Sequence, residues 1–276
     1  MAALELDRGG ILEFDDSGTG PAIVFLHGWS LGKVAFSIQS RELSDRFRVI
    51  VPSMRGHGNS VAFGPDDGID TLASDLAALL EELGITEAIL VGWSMGALVA
   101  WEMVRGPQRG RVKGIVTIDM VPKVLNCEDW PHGLRAGTHL YDVDIDLTRM
   151  RDDWAAFSRA YVPKVFRQDE SADRSELIDK MIGFVSNNDV ESMANLWTKL
   201  VEADYVEAVQ QLDIPTLITY GRRSQIYTEA AAEWMDENIP NSSRVAFDDS
   251  GHAPHLEEPQ KFNDALADFA ESLFSN

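Results

Sequence analysis

The apolar residues of this chain follow two alternating patterns. One is a set of short, nearly continuous apolar runs: Ala22–Leu26, Arg48–Val51, Glu87–Val91, Val112–Ile118, Pro215–Tyr220 and Arg244–Phe247. Each is too short for a helix of ordinary length and is rich in Val and Ile, so each predicts a strand. The other pattern has helical spacing. Thr71–Leu83 sets Leu72, Leu76, Leu79, Leu80 and Leu83 on one face and stops at Gly84, a helix and its terminator. Thr228–Asn238 and Pro259–Phe274 are predicted as further helices. At the start, Leu4–Asp7 and Ile11–Asp15 flank Gly9-Gly10 and predict a hairpin. Continuous runs mean strands buried on both faces. The predicted fold class is therefore α/β, with a mostly parallel central sheet covered by helices on both faces. In such sheets ligands bind beyond the carboxyl ends of the strands. That rule directs attention to His27-Gly28-Trp29, Ser94, Asp119, the loop from Gly221 and the loop after Phe247.

The alternation breaks between residues 123 and 210, where helical patterns run without a convincing strand. The predicted organisation is a core of residues 1–122 and 211–276 with a helical cap inserted over 123–210. The insertion is rich in aromatics, including Trp130, Trp154, Phe157, Tyr161, Phe166, Trp197 and Tyr205. Most of them are expected to form a small core of the insertion itself, with one or two facing a ligand in a pocket that the insertion roofs.

Composition narrows the partners. The 276 residues are 45% apolar and 25% charged, as in a globular chain. The net charge of −21, spread along the sequence, repels nucleic acid and anionic membranes, so neither is expected as a partner. No run of eighteen apolar residues predicts a membrane span, no basic–apolar leader opens the chain, and Cys127 is the single cysteine. A cytoplasmic location follows as the expectation.

The candidate chemistry centres on Gly92-Trp93-Ser94-Met95-Gly96, after a strand and before the small apolar run Ala97–Trp101. This is G-x-S-x-G on a strand–turn–helix. A serine at so sharp a turn needs neighbours nearly free of side chain, and its hydroxyl then stands at a helix N-terminus where unpaired N–H groups can hold an oxyanion. A serine nucleophile also needs a base and an orienting acid. Of six histidines, His252 follows the last strand and is the expected base, while His255 reads as structural. His27 and His57 are expected to brace glycine-rich loops, and His132 and His139 lie in the insertion. No two histidines share a helix face with a carboxylate, so neither a metal nor another cofactor is expected.

These pieces, with Arg55-Gly56-His57-Gly58-Asn59-Ser60 and Gly251-His252 in this order, resemble the α/β-hydrolase fold family over nearly the whole chain, as a serine-esterase-like member with a helical cap. The resemblance implies Ser94 as nucleophile and His252 as base, with the backbone N–H groups of Met95 and Trp29 as the oxyanion hole. Trp29 and Trp93 are expected to contact substrate. Many relatives carry the acid as Gly-x-x-Asp after the strand Pro215–Tyr220, but here the loop reads Gly221-Arg222-Arg223-Ser224. Others take it from the end of the preceding strand, which assigns Asp119. Asp248 and Asp249 lie too close to His252 on its own loop to be preferred. The expected substrate is a small or medium carboxylic ester. The same fold also carries carbon–carbon hydrolases, lactonases, cofactor-free haloperoxidases and dioxygenases, and ligand sensors. Haloalkane dehalogenases share the layout but need an aspartate at position 94.

Overall fold

The computed structural model describes residues 2–6, 10–60, 63–135, 137, 140–168 and 174–275. Eight strands form one sheet in the order β1-β2-β4-β3-β5-β6-β7-β8. The hairpin β1 (Ala2–Glu5) and β2 (Ile11–Ser17) is antiparallel and closes one edge. From there β4 (Arg48–Pro52), β3 (Ala22–Leu26), β5 (Ala88–Trp93), β6 (Val112–Ile118), β7 (Thr216–Gly221) and β8 (Ser242–Phe247) run parallel. Every residue of β3, β5 and β7 is buried, which is why these strands read as unbroken apolar runs. Successive side chains go to opposite faces: Val24 and Leu26 join one core cluster, Ile23 and Phe25 the other.

The helices cover both faces. α2 (Ile69–Glu82) and α3 (Met95–Arg105) pack on one side, while α1 (Ser37–Leu43) and α11 (Pro259–Phe274) pack on the other. Gly84, at φ 64°, ends α2 as its sequence position predicts. α1 was not foreseen, because seven residues give too little helical period to read. No described helix is long and apolar enough to cross a membrane.

Between β6 and β7 the described residues form helices α4 (Leu140–Asp152), α5 (Trp154–Tyr161), α6 (Ser175–Ser186), α7 (Val190–Glu202) and α8 (Val206–Gln210). The base of this stretch is pinched shut. Lys123 bridges Asp204, their side chains pair at 2.9 Å, and the Tyr205 N–H donates to the Pro122 carbonyl at 2.9 Å. The expected self-contained aromatic core is not what forms. Met150, Met193 and Leu196 belong to one cluster of the main core, and Val162, Phe166 and Val185 to the other. The apolar faces of these helices are too short to seal a core of their own, so they are buried against the sheet's carboxyl edge. α9 (Glu229–Asn238) and the short α10 (Pro254–Glu257) complete the chain.

Candidate active site

The strand order sets five loops side by side: those after β3, β5, β6, β7 and β8. Among the described residues, the non-glycine positions with positive φ are Ser30, Ser94 and Asp119, at 64°, 52° and 44°. All three follow strands at this edge. Such conformations cost of order 1–3 kcal/mol each and persist where surrounding structure enforces them.

Ser94 caps α3 with φ 52° and ψ −121° and donates its N–H to the Ile118 carbonyl at 3.1 Å. The flanking glycines are obligatory. A Cβ on Gly92 would run into the backbone of Ala97, and one on Gly96 into the Leu26 carbonyl and, at 2.9 Å, the Leu26 Cβ. The side chains of Trp93 and Met95 are buried, while Ser94 is half-buried. Met95 is the first residue of α3, where backbone N–H groups have no partner within the helix. Gly28 lies beside the serine, for a Cβ there would stand 3.4 Å from the Ser94 Cβ.

The loop after β3 is held by two histidines in a cross-brace. His27 donates Nδ1–H to the Gly28 carbonyl at 2.9 Å and accepts the Met54 N–H at Nε2, 2.8 Å. His57 accepts the Ser30 N–H at Nε2, 3.0 Å, with Nδ1 towards the Met54 and Arg55 carbonyls. Burial holds the His27 ring well below its usual range, reinforced by His57, and lowers His57 to about 4, so both are neutral acceptors. Arg55 anchors the neighbouring loop to α2 through a bidentate pair with Asp75, at 2.8 and 2.6 Å.

His252 follows β8. Its N–H donates to the Val165 carbonyl at 2.8 Å, and its Nδ1–H donates to Asp119 Oδ2 at 2.7 Å. Asp119 is buried; its Oδ2 also accepts the Ser224 hydroxyl at 2.7 Å, and Oδ1 faces the Gly221 N–H at 3.4 Å. Thus three strand ends deliver His252, Asp119 and Ser224 to one oxygen. The residue that stands where many relatives carry the acid thus bonds to the carboxylate at 119 that was assigned the role in its place; nothing in its sequence signalled this bond. Asp248 and Asp249 instead pair with Arg222 and Arg223, both at 2.8 Å, so these arginines serve surface acids.

The two tryptophans expected at the substrate occupy different surroundings. Trp93 lies with Ile89 and Val91 in the core cluster, packed at 4.6 Å on His255, and donates its indole N–H to the His252 carbonyl at 2.7 Å. Trp93 is buried, and alternation along β5 points it into the core, where it supports the His252 loop. Trp29 does meet the insertion. Its indole N–H donates to the Met193 carbonyl at 3.0 Å, and Trp154, Phe157, Tyr161 and Trp197 surround its ring at 5.2 to 6.4 Å. His255 is buried against Phe36, Trp93 and Phe262. His132 meets Trp130 edge-to-face at 5.3 Å, whereas His139 lies outside the described residues. Among the described residues no group of three or more His, Cys, Asp or Glu is placed to hold a metal.

A sequence profile described as the alpha/beta hydrolase family matches residues 23–265. A pimeloyl-[acyl-carrier protein] methyl ester esterase of Aromatoleum aromaticum is 31% identical over 250 residues, covering 87% of this chain and 94% of its own. The solved structure of a thermophilic esterase from Thermogutta terrifontis matches with a TM-score of 0.87 at 27% identity, over 99% of this chain and 98% of its own. A bromoperoxidase from Bacillus anthracis matches with a TM-score of 0.89 at 25% identity, over 98% of this chain and 99% of its own.

Proposed function

The chain belongs to the alpha/beta hydrolase family, and from that premise we propose that it cleaves carboxylic esters through an acyl-enzyme on Ser94. The observation that carries the reading is the 2.7 Å bond from His252 Nδ1–H to Asp119, on the same strand edge as the strained Ser94. With Nδ1 donating, Nε2 holds the lone pair that a base needs. His252 takes the hydroxyl proton as Ser94 Oγ attacks the ester carbonyl. The oxyanion rests on the Met95 and Trp29 N–H groups. His252 then returns the proton to the departing alkoxide, and water, activated by the same histidine, releases the acid. Asp119 holds the tautomer and stabilises the imidazolium.

Residues 123–210 act as a cap on the core of 1–122 and 211–276, and the substrate is a small or medium uncharged ester. The rings gathered on Trp29 favour an apolar acyl or alkyl group there. The Aromatoleum relative is named for an ester borne on a carrier protein; a free ester is preferred here because Trp29 is almost wholly enclosed. Turnover of p-nitrophenyl acetate and butyrate by the wild type and by Ser94→Ala tests the reading. Multiple turnover should fall by roughly 10⁴-fold or more in the variant. Equal turnover by the two proteins removes Ser94 from the chemistry, and a single slow turnover in the wild type points to a ligand sensor. The Bacillus neighbour supports haloperoxidase as a second reading, checked by adding bromide, peroxide and a phenol to the same proteins.

A further inference from the structure

The loop that carries Trp29 turns through Ser30, which has the largest positive φ of the described non-glycine residues, 64°. Both of its backbone polar groups are taken by side chains remote in sequence. Its N–H donates to His57 Nε2 at 3.0 Å, and its carbonyl accepts Asn188 Nδ2–H at 2.6 Å. The other end of the Asn188 amide, Oδ1, accepts the Gly58 N–H at 3.3 Å, beside His57. Asn188 belongs to the insertion, at the turn joining α6 to α7. Its own N–H donates to the Val185 carbonyl at 3.1 Å, and the next residue, Asp189, caps α7 by accepting the Ser192 N–H at 2.8 Å. Further along α7, the Met193 carbonyl accepts the Trp29 indole N–H at 3.0 Å. The start of α7 therefore grips Trp29 by its side chain and Ser30 by its backbone.

The Gly28–Trp29 peptide lies just before this grip. Its carbonyl accepts His27 Nδ1–H at 2.9 Å and the Leu31 N–H at 3.2 Å. The peptide is trans, so its N–H points the opposite way. Among the described residues nothing accepts that N–H. Leu31 follows Ser30, so any turn of the Ser30 backbone displaces one of the two donors that aim the Trp29 N–H. We propose that Asn188 is a positioning residue for the oxyanion hole, holding Ser30 so that the Trp29 N–H stays directed at the developing charge. The proposal rests on the reading of Ser94 as nucleophile and Trp29 as oxyanion donor. A serine persists at positive φ only where its surroundings enforce it; His57 does so at the N–H and Asn188 at the carbonyl. The hole is then complete only with the insertion seated. Loss of the Asn188 bond weakens binding of the charged transition state and spares the neutral ester.

Three measurements on Asn188→Ala, Asn188→Asp and Ser94→Ala test the proposal: kinetics with p-nitrophenyl butyrate, inhibition by an alkyl trifluoromethyl ketone, and melting curves. Ser94 Oγ adds to the ketone carbon, His252 takes the proton, and the carbonyl oxygen becomes an oxyanion in the hole. Asn188→Ala should lower kcat about tenfold with KM within about twofold, a displacement effect smaller than outright loss of a donor. The Ki of the ketone should rise by a similar factor, and the melting temperature should stay within a few degrees. Asn188→Asp keeps an acceptor for the Gly58 N–H but sets a carboxylate against the Ser30 carbonyl, so its kcat should fall at least as far. An unchanged kcat in Asn188→Ala, a loss confined to KM with Ki unaltered, or wild-type turnover in Asn188→Asp overturns the positioning role. The aspartate variant decides alone if the alanine variant does not fold. Equal turnover by Ser94→Ala and the wild type, or no turnover by the wild type, instead sinks the reading of the site, and the proposal with it.

Discussion

The strand-end edge and the helical insertion meet at one surface but are built on different rules. At the edge, individual atoms are fixed: a carboxylate oxygen by Ser224 and His252, two loop amides by His27 and His57, a serine by glycines that admit no Cβ. In the insertion, rings fill space around Trp29 with few directional bonds. Hydrogen bonds tolerate errors of tenths of an ångström, whereas apolar packing accepts many shapes of similar volume. Damage to the edge should therefore remove turnover and leave stability, and damage to the insertion should do the reverse. Asp119→Asn is the sharpest probe. Its shape is kept, but the amide fails to hold the tautomer, so kcat should fall by roughly 10³- to 10⁴-fold. Its melting temperature should stay within a few degrees. Turnover near the wild-type value would remove Asp119 from the reaction.

The same contrast explains what the sequence disclosed. Gly92 and Gly96 were legible because the backbone leaves only one residue type for each place. His252 was legible because it follows the last strand. Asp119 emerged from an absence, the serine at 224, combined with a charge at the end of a buried strand. The bond between Ser224 and that aspartate left no trace, since a serine in a loop is compatible with any role. The cross-brace was half legible. His27 and His57 were expected to steady their loops, but only the fold reveals that each accepts an N–H from the other's segment. The insertion was legible as helical and aromatic. Its packing was misjudged because period shows which face is apolar and not what that face meets.

Glu257 joins the two regions and predicts an intermediate result. Its inaccessible carboxylate accepts the Gly251 N–H at 2.5 Å and the Arg167 N–H at 3.0 Å, and pairs with Arg174 at 3.4 Å. One side chain thus fastens the insertion to the residue before His252. Glu257→Gln exchanges one acceptor oxygen for a donor, leaving a buried N–H unmatched at a cost of about 1–3 kcal/mol. Both melting temperature and kcat should fall, the latter about tenfold because His252 loses its bearing. A change in stability alone would mean that the insertion docks without tuning the edge. Trp154→Ala stays inside the insertion. Its ring is half-buried against Trp29 and its N–H donates to the Val185 carbonyl at 2.9 Å. Stability should drop by about 2 kcal/mol, and KM for butyrate should rise while kcat changes by less than about threefold. A large loss in kcat with KM unchanged would break the division drawn between the regions.

The smallest effect on turnover at neutral pH concerns titration and belongs to the edge and the core beneath it. His27, His57 and His255 are buried with their pKa values held down, each chiefly by burial, His57 to about 4. The unfolded chain takes up protons near pH 6.5, before the folded rings do. Their contribution to stability is therefore complete above about 6.5 and is lost as pH falls towards 4. Glu257, raised by burial, acts with the opposite sign, since its folded form binds the proton more readily than the unfolded chain. The melting temperature should decline between pH 6.5 and 4.5, with about 2 kcal/mol of the loss due to His57 alone and part of the total offset by Glu257. Protonated His27 and His57 would turn donors towards the Met54 and Ser30 N–H groups and open the brace around Trp29. His255 provides the control. Neither of its nitrogens has a partner among the described residues, and its ring packs between Phe36 and Trp93. His255→Leu should keep or raise stability at pH 7, because it removes an unmatched polar group. It should also flatten the acid slope in part, with the remainder due to the braced pair. An unaltered slope would show that acid enters through His27 and His57 alone, making the loop that carries Trp29 the acid-sensitive element of the fold.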